Sequence, residues 1–168
     1  SLKALKTRIN SDLSNDLGNL CQRSLSMVNK NLNGIIPTKV IRTAEEDKLI
    51  KRSEKIIEES IILMNDQKIH EYIKLIWDYI NDTNKYFNDQ KPWDLIKNDI
   101  ERFNTVLNTT CELIKRIAIF IYPIMPDTSS KILNMININI DIVFSNIDKN
   151  EVDNVKINKL SQLFPRID

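Results

Sequence analysis

The side chains best suited to recognising something are an amide and a guanidinium one helical turn apart, with a tryptophan much further along the chain. Asn19 and Arg23 lie in NDLGNLCQRSL, residues 15–25. Four residues apart on a helix, they project from the same side. Arginine offers five donors in a rigid fork and asparagine offers both a donor and an acceptor. Together they could read the edge of a base or another planar polar group. On spacing alone the preferred reading is plainer: Asp12, Asp16, Asn19, Arg23 and Lys30 flank an apolar stripe and can form a solvated face with Asp–Arg pairs. Gly18, inside the same stretch, weakens a helix interior by about 1 kcal/mol relative to Ala. A close neighbour, protein or ligand, is expected to offset it.

The second unusual stretch is NKYFNDQKPWDLIK, residues 84–97. Trp93 follows Pro92 at the start of a helix, outside any 3.6-residue apolar stripe. A tryptophan there is either a plug for the end of a bundle or a platform on which unpaired bases stack, at about 1–3 kcal/mol per base. The residues alone favour the plug. Trp77 falls at the edge of a core face and reads as packing.

Catalysis has no candidate in this chain. The one histidine, His70, stands beside Glu71 near a helix start and reads as a surface or capping residue. No Gly-rich phosphate loop, G-x-S-x-G or H-E-x-x-H occurs. Cys21 and Cys111 are far apart and belong to no C-x-x-C pair, so they read as free, half-buried thiols in a reducing compartment. With one histidine they cannot build a protein zinc site without help from carboxylates. The metal expectation is none.

The elements that must hold these side chains follow from apolar spacing. Ile9, Leu13, Leu17, Leu20, Ser24, Met27 and Val28 trace one helical face over residues 8–31. Asn33-Gly34 stops it through a left-handed turn. Thr43-Ala44-Glu45-Glu46 has the form of a capping box and predicts a second helix to about residue 64, burying Leu49, Ile50, Ile56, Ile57 and Ile61. Asp66 is placed to cap a third, with Ile69, Tyr72, Ile73, Ile76 and Ile80 inward. Pro92 suits the first turn of a fourth, because a proline there loses no needed N–H. That helix carries Ile100, Phe103, Leu107, Cys111, Ile114, Ile117 and Ile121 inward and reaches residue 122, with room for a break. A rigid YPIMP link leads to a short fifth helix over residues 127–136. The alternation in NININIDIVF resembles a strand but is weak evidence in so Asn- and Ile-rich a sequence. The reading is all-α: an antiparallel bundle of about five helices, with 8–136 as helical core and 137–168 as an irregular extension, in one domain spanning 1–168.

Bulk properties narrow the partners. The 168 residues are 42% hydrophobic and 28% charged with only two glycines, which favours long helices over a many-stranded sheet. A formal charge of +1 gives no general attraction for polyanions, so any nucleic acid must be held by a local patch or by base contacts. There is no run of eighteen apolar residues, so no membrane span is expected, and no signal peptide is visible, although the true N-terminus is out of view. Ser1 reads as the start of a cut-out piece.

The two unusual stretches meet in one resemblance. RINSDLSNDLGNLCQRSLSMV, then NKYFNDQKPWDLIK, IYPIMP and a terminal LFPRI together resemble the C-terminal anticodon-binding domain of the methionyl-tRNA synthetases, over nearly the whole chain and in the same order. The resemblance implies that Asn19 and Arg23 read anticodon bases and that Trp93, after Pro92, stacks the first. It gives Asn84 a place near that surface, and Asp12 a place on the contact with the catalytic half. It implies a methionine tRNA and that missing half as partners, with no DNA and no membrane, in the cytoplasm. No cofactor belongs to this piece. ATP with Mg2+, and a zinc site, would belong to the absent half, whose HIGH-type and KMSKS-type motifs are not present. The alternatives are the bundle of another class I synthetase (leucyl, isoleucyl, valyl or cysteinyl) or a helical module that binds a protein through the Trp93 corner.

Overall fold

From Thr105 to Ile121 no side chain of one helix reaches solvent to any extent. A helix apolar on one stripe lies on a surface, whereas one buried on every side must be surrounded. The computed structural model, which describes residues 2–159, places this helix, α6 (Ile100–Ile121), against five others. They are α2 (Asn19–Asn31), α3 (Ala44–Asn65), α4 (Ile69–Gln90), α5 (Pro92–Asn98) and α7 (Pro126–Met135). The all-α bundle expected from the sequence is the architecture. Its centre is α6.

The first helix begins earlier than its apolar face suggests, since no breaker lies between residues 2 and 8. α1 (Leu2–Asp12) continues through a π-helical stretch, Leu13–Gly18, into α2, and the three form the first rod of the bundle. The stop at Asn33-Gly34 forms as expected, with both residues at positive φ, 54° and 75°. Thr43 and Glu46 make the capping box. Asp66, however, does not cap the next helix: it is the C-cap of α3, and its N–H reaches the Ile62 carbonyl. The chain then turns through Gln67, at φ 56°, and α4 starts after Lys68 without a side-chain cap.

Three expected core isoleucines are exposed. The buried stripe of α3 runs through Glu46, Leu49, Ser53, Ile56 and Ser60, so Ile61, one residue or about 100° further on, points outward. Ile69 and Ile100 are the first residues of their helices and are also exposed. The break allowed in the fourth helix falls at Asp99, whose extended backbone separates α5 from α6. Its side chain accepts the Arg102 N–H, as an N-cap aspartate does. Cys21 and Cys111 are free but fully rather than half buried, and burial raises both thiols, Cys21 to about 12.

The Asn/Ile alternation makes no strand among the described residues. Ile138 and Ile147 are buried, and a short 3-10 turn, Phe144–Asn146, sets Phe144 edge-on to Phe120. The extension then returns to the first turn of the chain, where Ile36 donates to the Val155 carbonyl and Ile157 to that of Gly34. Gly34 is used for its positive φ, since a side chain there would meet the returning extension only at ordinary contact distances. No described helix is long and apolar enough to cross a membrane. The side chain of Leu13 and the terminal LFPRI lie outside the described residues.

Candidate nucleic-acid interface

Proline cannot continue α4, and the residue before it avoids the right-handed helical region. Lys91 therefore turns the corner in the left-handed region, φ 50° and ψ 61°, a conformation costing a non-glycine residue roughly 1 kcal/mol or more. Pro92 is buried as the first residue of α5, and Lys91 O accepts the Asp94 N–H at 2.9 Å. This geometry sets the Trp93 ring edge-on to Phe87, with centroids 6.3 Å apart. Phe87 is buried, whereas Trp93 keeps 40% of its surface exposed. The tryptophan thus packs against Phe87, and a substantial part of it stays open.

Arg23 comes to the same place from α2. Its guanidinium carbon lies 5.1 Å from the Phe87 centroid and 5.4 Å from that of Trp93, within cation–π range. Its Nη1 donates to Asn88 Oδ1 at 2.8 Å. The solvated Asp–Arg face favoured by spacing is not what holds Arg23; aromatic rings and an amide hold it. Asn19, one turn earlier and exposed, donates from Nδ2 to the Asn15 carbonyl at 2.7 Å, and its Oδ1 has no partner among the described residues.

Asn84 and Asp12 stand apart from this cluster. Asn84 is half-buried, and its Nδ2 donates to Asp16 O at 3.1 Å and to Ile80 O at 3.3 Å. Its amide fastens α4 to the π-helical stretch, so it supports the surface from behind. The Asp16 carbonyl accepts this bond as well as the Asn19 N–H. π-turns in α-helices recur at functional sites. Gly18 ends the stretch with ordinary right-handed angles, so no special backbone conformation requires it. Asp12 pairs with Arg8 at 3.8 Å and borders a groove of about 560 Å³ between α1 and α4, lined also by Asp16, His70 and Trp77. Burial, and then the Asp12 charge, raise the Asp16 carboxyl. No cluster of three or more His, Cys, Asp or Glu side chains suited to a metal occurs among the described residues.

Phe87 and Asn88 were missed from sequence. The signal was available in outline: residues 84, 87 and 88 share one side of a helix, and all three turn towards the first rod. Nothing local identified that rod as their neighbour.

Comparison with known proteins shows the family of this fold. The family model described as the anticodon binding domain of methionyl tRNA ligase matches residues 36–159. The methionine–tRNA ligase of Mycobacterium leprae is 39% identical over 140 residues, which are 81% of this chain and 26% of that protein. That of Rhizobium meliloti is 37% identical over 141 residues, 84% of this chain and 27% of the relative. The free-state crystal structure of Mycobacterium tuberculosis methionyl-tRNA synthetase superposes with a TM-score of 0.91 at 35% identity, covering 100% of this chain and 35% of the other. The chain thus spans about a quarter of the length of the curated relatives it matches. A methionyl-specific family match sets aside the leucyl, isoleucyl, valyl and cysteinyl alternatives. With a buried central helix, the Pro92–Trp93 corner and Arg23 brought against it from the first rod, this chain belongs to the anticodon-binding domains of the methionyl-tRNA ligases.

Proposed function

We propose that this chain reads the anticodon loop of methionine tRNA on behalf of a longer ligase that joins methionine to that tRNA. The observation carrying the proposal is the cluster of Arg23, Phe87, Asn88 and the part-exposed Trp93 at one corner of the bundle. Single-stranded loop bases are recognised by splaying them onto aromatic faces and by hydrogen bonds to their edges. Trp93 offers the platform. Arg23 has a guanidinium already oriented by two rings and one amide, and the free Oδ1 of Asn19 accepts a base N–H. Pro92 holds the platform rigidly, and Asn84 holds the α4 face against the first rod.

The near-neutral charge fits this division of labour, because phosphate attraction can come from the rest of the ligase. That remainder would include the catalytic half, with ATP and Mg2+ and a zinc site, and Asp12 would lie on the contact with it. The two free thiols support a cytoplasmic setting.

Trp93→Ala in the full-length ligase tests the reading. Losing one stacked base, at about 1–3 kcal/mol, raises KM for methionine tRNA about fivefold or more and narrows the preference for the methionine anticodon over an altered one. Unchanged discrimination between the two tRNAs would overturn the stacking role.

A further inference from the structure

The corner that presents Trp93 is tied into the bundle by a network that the reading above does not use. Gln90 is the last residue of α4, immediately before the left-handed Lys91. Its Oε1 accepts from Arg102 of α6 twice, from Nη2 at 2.7 Å and from Nε at 3.2 Å. The same guanidinium grips both oxygens of Glu46, which is fully buried: Nη1 lies 2.7 Å from Oε1, and Nη2 bonds to Oε2. Glu46 also accepts from the Thr43 N–H at 2.9 Å, the Thr43 hydroxyl at 3.0 Å and the Tyr86 hydroxyl at 2.7 Å. Three helices therefore meet at one guanidinium, and the element it secures last is the residue that opens the Trp93 turn.

A strained turn persists only where its surroundings over-determine it. The backbone before Lys91 is held by Gln90, and the backbone after it by buried Pro92. We propose that Arg102, oriented by Glu46 and acting through Gln90, is a positioning residue for the Trp93 platform and so for anticodon binding. This rests on the anticodon reading above. Arg102 and Glu46 are not placed against the RNA. They set the angle at which α5 leaves α4, and with it the distance between Trp93 and Arg23. A displacement of about 1 Å at a recognition group is enough to lose much of its contribution.

Gln90→Leu is the sharpest probe, since it removes the acceptor but leaves the buried Glu46–Arg102 pair intact. In the full-length ligase it should raise KM for methionine tRNA about fivefold with kcat unchanged. Gln90→Glu, which keeps an acceptor for Arg102, should restore KM. Fluorine NMR of the 5-fluorotryptophan-labelled 168-residue chain, which has two tryptophans, should show the Trp93 resonance displaced and that of Trp77 unmoved. A Gln90→Leu enzyme with KM within twofold of wild type and an unmoved Trp93 resonance overturns the positioning role, provided Trp93→Ala still raises KM. Should Trp93→Ala itself leave KM unchanged, the anticodon reading falls and this proposal falls with it. If Gln90→Leu also disturbs Trp77, Arg102→Lys replaces it: the charge opposite Glu46 is kept, the fork to Gln90 is lost, and the same criteria apply.

Discussion

Glu46 and Glu112 are both buried carboxylates paired with a basic side chain, yet their environments push them in opposite directions. At Glu46 burial works against the charge, but the Arg102 fork, the Thr43 backbone and hydroxyl, and Tyr86 outweigh it and hold the carboxyl down at about 2. At Glu112 burial wins. Lys115 donates to Oε1 at 2.8 Å, Arg116 stands 3.6 Å from Oε2 without a hydrogen bond, and the carboxyl stays above its ordinary value. Lys115 is in turn pushed below its own ordinary value by burial. The difference teaches that an interior ion pair is settled where the donors to the carboxylate outweigh the cost of burying it. The settled pair lies behind the candidate interface. The unsettled one lies in the core, where Lys115 reaches Lys149 O and Arg116 reaches Ser53 Oγ.

The contrast can be broken by mutation. The largest effect is expected for Glu112→Ala, which strands the ammonium of Lys115 in the interior. Denaturant unfolding should show a loss of about 3–5 kcal/mol. Next, both members of each pair are replaced by apolar residues. Glu46→Leu with Arg102→Met should cost about 2–3 kcal/mol, because Thr43, Tyr86 and Gln90 all lose partners. Glu112→Leu with Lys115→Met should cost less, about 1 kcal/mol, since it removes two desolvated charges but leaves buried Arg116 without its carboxylate. Equal losses in the two double variants would erase the distinction. Among folded variants, the Glu46 double should also raise KM for tRNA while the Glu112 double leaves it unmoved.

The smallest expected effect is in pH dependence. Glu46 has a folded-state pKa below its ordinary 4.5, so the stability it contributes is present above 4.5 and is lost as pH falls from there towards about 2. Glu112, raised in the folded state, contributes oppositely: folding favours its protonated form, so its contribution improves as pH falls. Thermal midpoints between pH 6 and pH 3, a range chosen to span the ordinary carboxylate value, should fall less steeply in Glu46→Gln than in wild type. They should fall more steeply in Glu112→Gln. Parallel curves in all three proteins would contradict the opposed shifts.

What could be read in advance and what could not divides along the same line. The Thr43–Glu46 capping box was legible because its geometry spans four residues, but nothing in it announced that the Glu46 carboxylate also receives Arg102 and Tyr86. The Asn33-Gly34 stop and Pro92 at a helix start were legible for the same local reason. Ile61 was misread because apolar character was taken for direction, whereas the stripe of α3 passes through Ser53 and Ser60. Asn84 was associated with the right surface but not with its task, which depends on a carbonyl 68 residues away.

The sequence by itself determined that this chain is a bundle of long helices, where most of them start and stop, and, through motif resemblance, which family it belongs to. These depend on side-chain periodicity, capping chemistry and the conformations open to glycine and proline, all of which act over a few residues. Only the tertiary structure decided that α6 is surrounded, that Arg23 lies against Phe87, Asn88 and Trp93, and that Arg102 ties the corner to α3. Each of those is a contact between helices. Its geometry is set by how several apolar faces pack at once, and no single segment carries that information.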